Sequence, residues 1–311
     1  MVLGKLFKLL KYVLSSLHKN AALHHKEETY SHTEQKGALN EEIHARRGAK
    51  YAKELKIDDD KLRIAETRTK RESEEFGVLI QQSIDTQNPE LLTNASATLK
   101  LILKDFETVV GLWKQSYHNL KRVLKEIREA KKVSSKMRKS LRQENKTMTQ
   151  DVRLLKKSAR QGQLLDQDKK SAILSRRQNL NSEIITGVDE AEKLADRILN
   201  TFGKEPQKIR QLLIEAKKIK TNLKQKFKNW PAVLDIIRQI QLFIKKTGSY
   251  LQELDVFVQM TEKESAQIEA LNKIQFQRFA EKKKLDAMYD KLLIDEEIAV
   301  QKGAESKPKA A

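Results

Sequence analysis

Residues 106–127 read FETVVGLWKQSYHNLKRVLKEI. Phe106, Val110, Trp113, Tyr117, Leu120, Leu124 and Ile127 recur there in alternating steps of four and three. That spacing lines one face of a helix that packs against other helices. The composition agrees. Ten Gly and four Pro in 311 residues fall well below the roughly 12% combined that average proteins carry. With 34% of residues charged and only 5% aromatic, a thick globular core is not expected, and long helices with wet outer faces are. The expected fold is all-α: an elongated helical bundle or antiparallel coiled coil, preceded by an N-terminal amphipathic helix.

Upstream of the quoted stretch, DTQNPELL (residues 85–92) is a boundary, with Asn88 placed to cap a helix and Pro89 to open it. Downstream, the apolar register thins. Lys131, Ser134 and Arg138 occupy its positions, followed by Leu141, Asn145, Met148, Val152, Leu155 and Ala159. Residues 121–160 hold 15 basic and 4 acidic side chains. This part is expected to leave the bundle as a thin basic arm that reverses near Gly162, or else to continue as one helix to residue 200. Leu180, Ile184, Val188, Ala191, Leu194, Ile198 and Phe202 form a second apolar face, ended by Gly203. PAVLDIIRQIQLFI (231–244) and SYLQELDVFVQM (249–260) are the richest apolar segments. The expected organisation is therefore 1–26, an amphipathic basic helix; 27–86, a charged long helix; 87–202, long helices with the basic arm; 203–303, a helical bundle or coiled coil; and 304–311, a disordered tail.

The 27–86 segment has few large apolar residues, among them Leu39, Ile43, Leu55, Ile57, Leu62, Ile64 and Phe76. It reads as a solvated helix with ion pairs one turn apart, burying a narrow stripe. The run Asp58, Asp59, Asp60 reads as solvated too.

The opening, MVLGKLFKLLKYVLSSLHKN (1–20), sorts sharply by side. On a helical wheel Leu3, Leu6, Phe7, Leu10, Val13, Leu14 and Leu17 share one arc with Val2 and Leu9, opposite Lys5, Lys8, Lys11 and Lys19. The lysines at 5, 8 and 11 break any span of about 20 apolar residues and any export signal's apolar run of about 7–15. No acid precedes Glu27. A broad apolar arc opposed by lysine alone is the pattern of a helix lying in a membrane interface. Packing on the rest of the fold and a mitochondrial presequence are the alternatives. Five of the six histidines (His18, His24, His25, His32, His44) lie within the first 44 residues. With no acid or Cys completing a metal set, they read as polar-face histidines.

There is no cysteine, which excludes disulfides, thiol nucleophiles and cysteine-held zinc. No phosphate loop, GxGxxG, HExxH or GxSxG pattern occurs. Neither enzyme activity, nor a cofactor, nor a metal is expected. The net charge of +19 attracts polyanions, whether anionic lipid or nucleic acid. The cations expected to form such a surface are Lys121, Arg122, Lys125, Arg128, Lys131, Lys132, Lys136, Arg138, Lys139, Arg142, Lys156 and Lys157. Between Tyr117 and Phe202 there is no aromatic residue, so the stacking platforms of single-strand binders are lacking. Duplex contact through phosphates stays open.

An amphipathic N-terminal helix followed by long, charged, cysteine-free helices resembles the phage-shock-protein-A and ESCRT-III group of membrane-remodelling proteins and, in general layout, BAR-type scaffolds. The resemblance lies in architecture across residues 1–303 and implies assembly into a scaffold on membrane. The expected function is thus peripheral binding to anionic membrane lipids on the cytoplasmic side by a homo-oligomer. The alternatives are a nucleic-acid-associated basic coiled-coil protein, and a scaffold subunit whose first helix docks on a protein partner.

Overall fold

Five helices account for the described chain: α1 (Val2–Thr86), α2 (Pro89–Ala159), α3 (Gln167–Phe202), α4 (Glu205–Lys226) and α5 (Trp230–Glu305). The computed structural model describes residues 2–159, 166–226 and 230–305, with side chains described for 19, 21–88, 90–157, 166–222 and 232–300. The reversal near Gly162 and tail residues 306–311 lie outside the described residues. Residues 304 and 305, expected in the tail, belong to α5.

The boundaries follow local chemistry. Asn88 Oδ1 accepts the Glu90 N–H at 2.9 Å, which caps α2, and Gln87 makes the turn with a φ of 54°. The Gly203 N–H donates to the Leu199 carbonyl at 2.9 Å, closing α3. A side chain at Gly203 would place its Cβ 2.4 Å from that oxygen, so only glycine closes the helix this way. Between α2 and α3, Asp166 takes a φ of 52° just before α3 begins.

The chain folds into two units. One comprises His44–Arg128 and Ala195–Ala266. Its core is apolar and includes Phe76, Leu99, Phe106, Trp113, Leu120, Val233, Ile240, Phe243 and Phe257. Phe106 and Phe243 meet edge-on at 5.5 Å, as do Phe202 and Phe257 at 4.9 Å. The faces expected at 106–127 and at 195–202 are buried or half-buried here. Asp58 and Asp59 depart from expectation, being buried while Asp60 is exposed. Asp58 accepts a hydrogen bond from Asn119 at 2.8 Å. Burial, reinforced by neighbouring Asp255, pushes the Asp59 carboxyl up to about 8.

The other unit comprises Met1–Ile43, Glu129–Leu194 and Gln267–Ala311. Contacts set the directions of its four helical segments. Glu41 meets Ser134 and Gly37 meets Met137, so α1 and α2 are antiparallel. Arg138 reaches Asp189 while Asn181 reaches Asn145, so α2 and α3 are antiparallel. Arg176 pairs with Glu281 and Lys170 with Glu296, so α3 and α5 are antiparallel too. Residues 129–155, expected to run on as an arm, present a buried face to these neighbours through Met137, Leu141, Met148 and Leu155.

α1 buries an unexpected stripe. Leu39, Ile57 and Ile64 are exposed. The buried positions are His24, Glu27, Ser31, Glu34, Ala38 and Glu41 in this unit, and Ala45, Ala52, Leu55 and Leu62 beyond it. They keep the alternating three and four steps of a bundle helix.

Candidate functional site

The feature that the apolar register does not explain is the charged interior of the unit formed by residues 1–43, 129–194 and 267–311. Glu27, Glu34 and Glu41 stand seven residues apart on α1, so bundle geometry carries all three to one face. Glu144 and Asp151 repeat that spacing on α2, which also supplies Ser134; α3 supplies Lys170, Arg177 and Asn181; α5 supplies Lys282, Asp286, Tyr289 and Glu296. All are buried.

Arg177 is the hub. It donates from Nη1 to Glu27 at 2.6 Å and from Nη2 to Glu144 at 3.2 Å, and its Nε lies 2.8 Å from Asp286. Lys282 Nζ donates to Glu34 at 2.9 Å and also to Glu144. Asn181 completes the Glu144 carboxylate at 2.8 Å. Towards the N-terminal side of α1, the Tyr289 hydroxyl donates to Asp151 at 2.6 Å, and its ring lies 4.7 Å from that of His24. Lys170 and Glu296 form a further buried pair. At the other end Ser134 donates to Glu41.

Carboxylates outnumber the cations that face them, and burial sets the protonation. Desolvation pushes Glu34 up to about 8, against the pull of Lys282. It lifts Glu41 to about 7 and Asp151 to about 6. Burial also raises Tyr289, helped by the adjacent Asp151 charge. For His24 burial opposes the charged ring, yet the Glu27 and Asp290 carboxylates together hold its pKa above the ordinary value. Chemically, such layers hold four helices in one register, since a shift of any helix strands an uncompensated charge.

The cations expected to form a polyanion surface divide between the units. Lys121, Arg122, Lys125 and Arg128 are exposed in the apolar-cored unit, where Lys121 lies over the Tyr117 ring and Arg122 over the Tyr51 ring, each at 5.3 Å. Lys132, Lys136, Lys139, Arg142, Lys156 and Lys157 are exposed in the other unit, and Lys131 is half-buried. Arg138 does not belong with them. It is half-buried and binds Asp189 at 2.9 Å and Glu192 at 2.8 Å, so its charge is spent on α3. Of the expected membrane-facing residues, Lys19 is exposed. The side chains of Leu3, Lys5, Leu6, Phe7, Lys8, Leu10, Lys11, Val13, Leu14 and Leu17 lie outside the described residues, although their backbone is part of α1. Among the described residues no helix is long and apolar enough to cross a membrane.

The buried network was missed because glutamate and lysine are ordinarily solvated. The seven-residue recurrence of Glu27, Glu34 and Glu41 was the available signal. Two open grooves lie in the apolar-cored unit, away from this network. One, of about 1160 Å³, is lined by Arg63, Glu66, Lys70, Arg238 and Lys245 among others, and its Arg63 is already paired with Asp255. Compared with family models, with characterised proteins and with solved structures, the chain matches none of them.

Proposed function

We propose that the protein is a peripheral membrane-binding, self-associating helical scaffold anchored by the first turns of α1. The observation that carries this reading is the segregation of lysine from apolar residues over 1–19, on the stretch of α1 that runs past the end of α2. The pairing of Glu41 with Ser134 and of Gly37 with Met137 fixes the register of α1 against α2. By that register the end of α2, Ala159, falls opposite about residue 16 of α1. α1 itself begins at Val2, and α5 continues to Glu305. The backbone of this stretch thus runs past the end of α2; in this reading its lysines meet lipid phosphates and its leucines enter the acyl boundary. The exposed lysines and arginines of α2 add attraction to an anionic surface, each worth about 1 kcal/mol near the bilayer. Exposed Ile57, Ile64, Leu242 and Val256 offer apolar contacts for self-association.

Vesicle flotation tests this. The whole chain should float with vesicles containing phosphatidylserine and not with neutral ones. Lys5→Glu/Lys8→Glu/Lys11→Glu and Leu6→Asp/Leu10→Asp variants should stay with the soluble fraction. Unchanged flotation of both variants would overturn the anchor. Salt-sensitive flotation that survives both would move the binding to the α2 cations and make duplex nucleic acid the next ligand to try.

A further inference from the structure

We infer that His24, Glu28 and Asp290 form a binding site for a borderline divalent transition-metal ion, with Zn2+ the representative of its class, which staples α1 to α5. His24 and Glu28 are four residues apart on α1 and so stand one turn apart on one face. Asp290 faces them from α5. Their donor atoms all lie within 4.8 Å of one another. Two donors held at about 2.1 Å on a tetrahedral ion stand roughly 3.4 Å apart, and His24 Nε2 lies 2.9 Å from Asp290 Oδ1, a separation that a small side-chain adjustment opens to that value. A rotamer change at the half-exposed Glu28 closes the remaining spread.

The second observation is the state of the histidine. His24 is 2% exposed, and among the described residues the Asp290 carboxylate is the ion-pair partner of its Nε2, at 2.9 Å but without hydrogen-bond geometry. The ring is aimed at the carboxylate without the alignment of an N–H donor. Its orientation is fixed by the Tyr289 ring. On its far side, Nδ1 lies 3.6 Å from Glu27 Oε2 and 3.3 Å from Arg177 Nη1. In the metal-bound state Nδ1 carries the proton and turns it towards Glu27, the carboxylate–histidine–metal arrangement that fixes the tautomer and strengthens the ligand, and the hydrogen bond that the Arg177 Nη1–H donates to Nδ1 is given up. Among the described residues, Arg177 is a cation whose charge opposes a positive charge at His24. Glu27, Glu144 and Asp286 surround it, so the local balance around His24 is negative.

An imidazole with two carboxylates selects Zn2+ and its neighbours over Mg2+ and Ca2+, which prefer oxygen alone. Asp290 and Glu28 are both partly exposed, which leaves an entry path and room for water to complete the coordination. The site is separate from the membrane reading and stands whether or not α1 meets lipid.

Calorimetric titration of the whole chain with ZnCl2 in excess Mg2+ tests the assignment, with thermal unfolding followed in parallel. The expected result is about one equivalent bound tightly, with a zinc-dependent rise in Tm. Asp290→Asn and Glu28→Gln, both half-exposed and nearly isosteric, should each weaken that binding by about tenfold or more and reduce the rise in Tm. His118→Ala, which removes an exposed imidazole of α2 in the other unit, should leave both unchanged. Zinc affinity and Tm shift unaltered in both carboxamide variants would overturn the site, as would loss of binding in His118→Ala alone.

Discussion

α1, α2, α3 and α5 each contribute to both units, and they fill the two interiors differently. In one, Phe106, Trp113, Phe243 and Phe257 interlock. In the other, inward Glu34, Glu144, Arg177 and Lys282 are interleaved with small apolar clusters around Leu141 and Phe279 and around Met148 and Leu174. Inward spacing is the same in both, so helical periodicity is indifferent to what occupies it. The difference lies in how the interior resists change. An apolar core tolerates a shift or a swap of similar volume, whereas a charged core accepts only the partners whose atoms meet.

The largest effects should come from breaking each core by one residue. Arg177→Ala leaves Glu27, Glu144 and Asp286 without their shared cation and should cost about 3–5 kcal/mol in denaturant unfolding. Trp113→Ala should cost a similar amount, about 3–5 kcal/mol, through the cavity it opens. The sharper contrast is in the rescue. Replacing Arg177, Glu27, Glu144 and Asp286 together by Met and Leu should restore the loss, and by the precedent of buried ion networks add about 1–4 kcal/mol. A quadruple variant no more stable than Arg177→Ala would mean that the network supplies stability as well as register.

A smaller effect separates the units by pH. Glu34 and Glu41 hold their protons in the folded state up to about 8 and about 7, whereas in the unfolded chain they release them near the ordinary carboxylate value. Their contribution is complete below the unfolded pKa and is lost as pH rises through the folded one. Urea midpoints should therefore fall between about pH 5.5 and 8.5. Amide exchange should place most of the slope in the helices around Glu34, with Asp59 supplying a lesser slope in the apolar-cored unit. Glu34→Gln should flatten the first slope and leave the second; an unchanged profile would show that Glu34 is ionised when buried.

The smallest effect should come from outside both cores. Ile64 is 64% exposed, and Ile64→Glu should change unfolding by no more than about 0.5 kcal/mol. If the exposed apolar residues mediate self-association, the same variant should lower the sedimentation coefficient at high protein concentration. An unaltered coefficient would remove that face from the scaffold.

Much of the helical outline was legible in the residues. Asn88 and Pro89 mark the start of α2, and Gly203 marks the end of α3. The stretch 106–127 names the face that Trp113 buries. Most of the polar interior was not legible. Lys282 and Glu34 are 248 positions apart, and neither gives a sign of burial without the other. The exposed Leu39 and Ile64 misdirected the reading of α1, because their size outweighed the small Ala38, Ala45 and Ala52 that turn inward. His24 was similarly opaque, since Asp290, which faces it, lies at the far end of the chain.

By itself, then, the sequence determined that the chain is helical, where α2 begins and α3 ends, and which aromatic face packs. Those properties rest on neighbouring residues: backbone propensity, capping and a three-to-four spacing. Only the tertiary structure decided which glutamates, lysines and histidines are buried. Removing a charge from water is favourable only when a partner on another helix replaces the lost hydration, and that partner is chosen by how the helices meet.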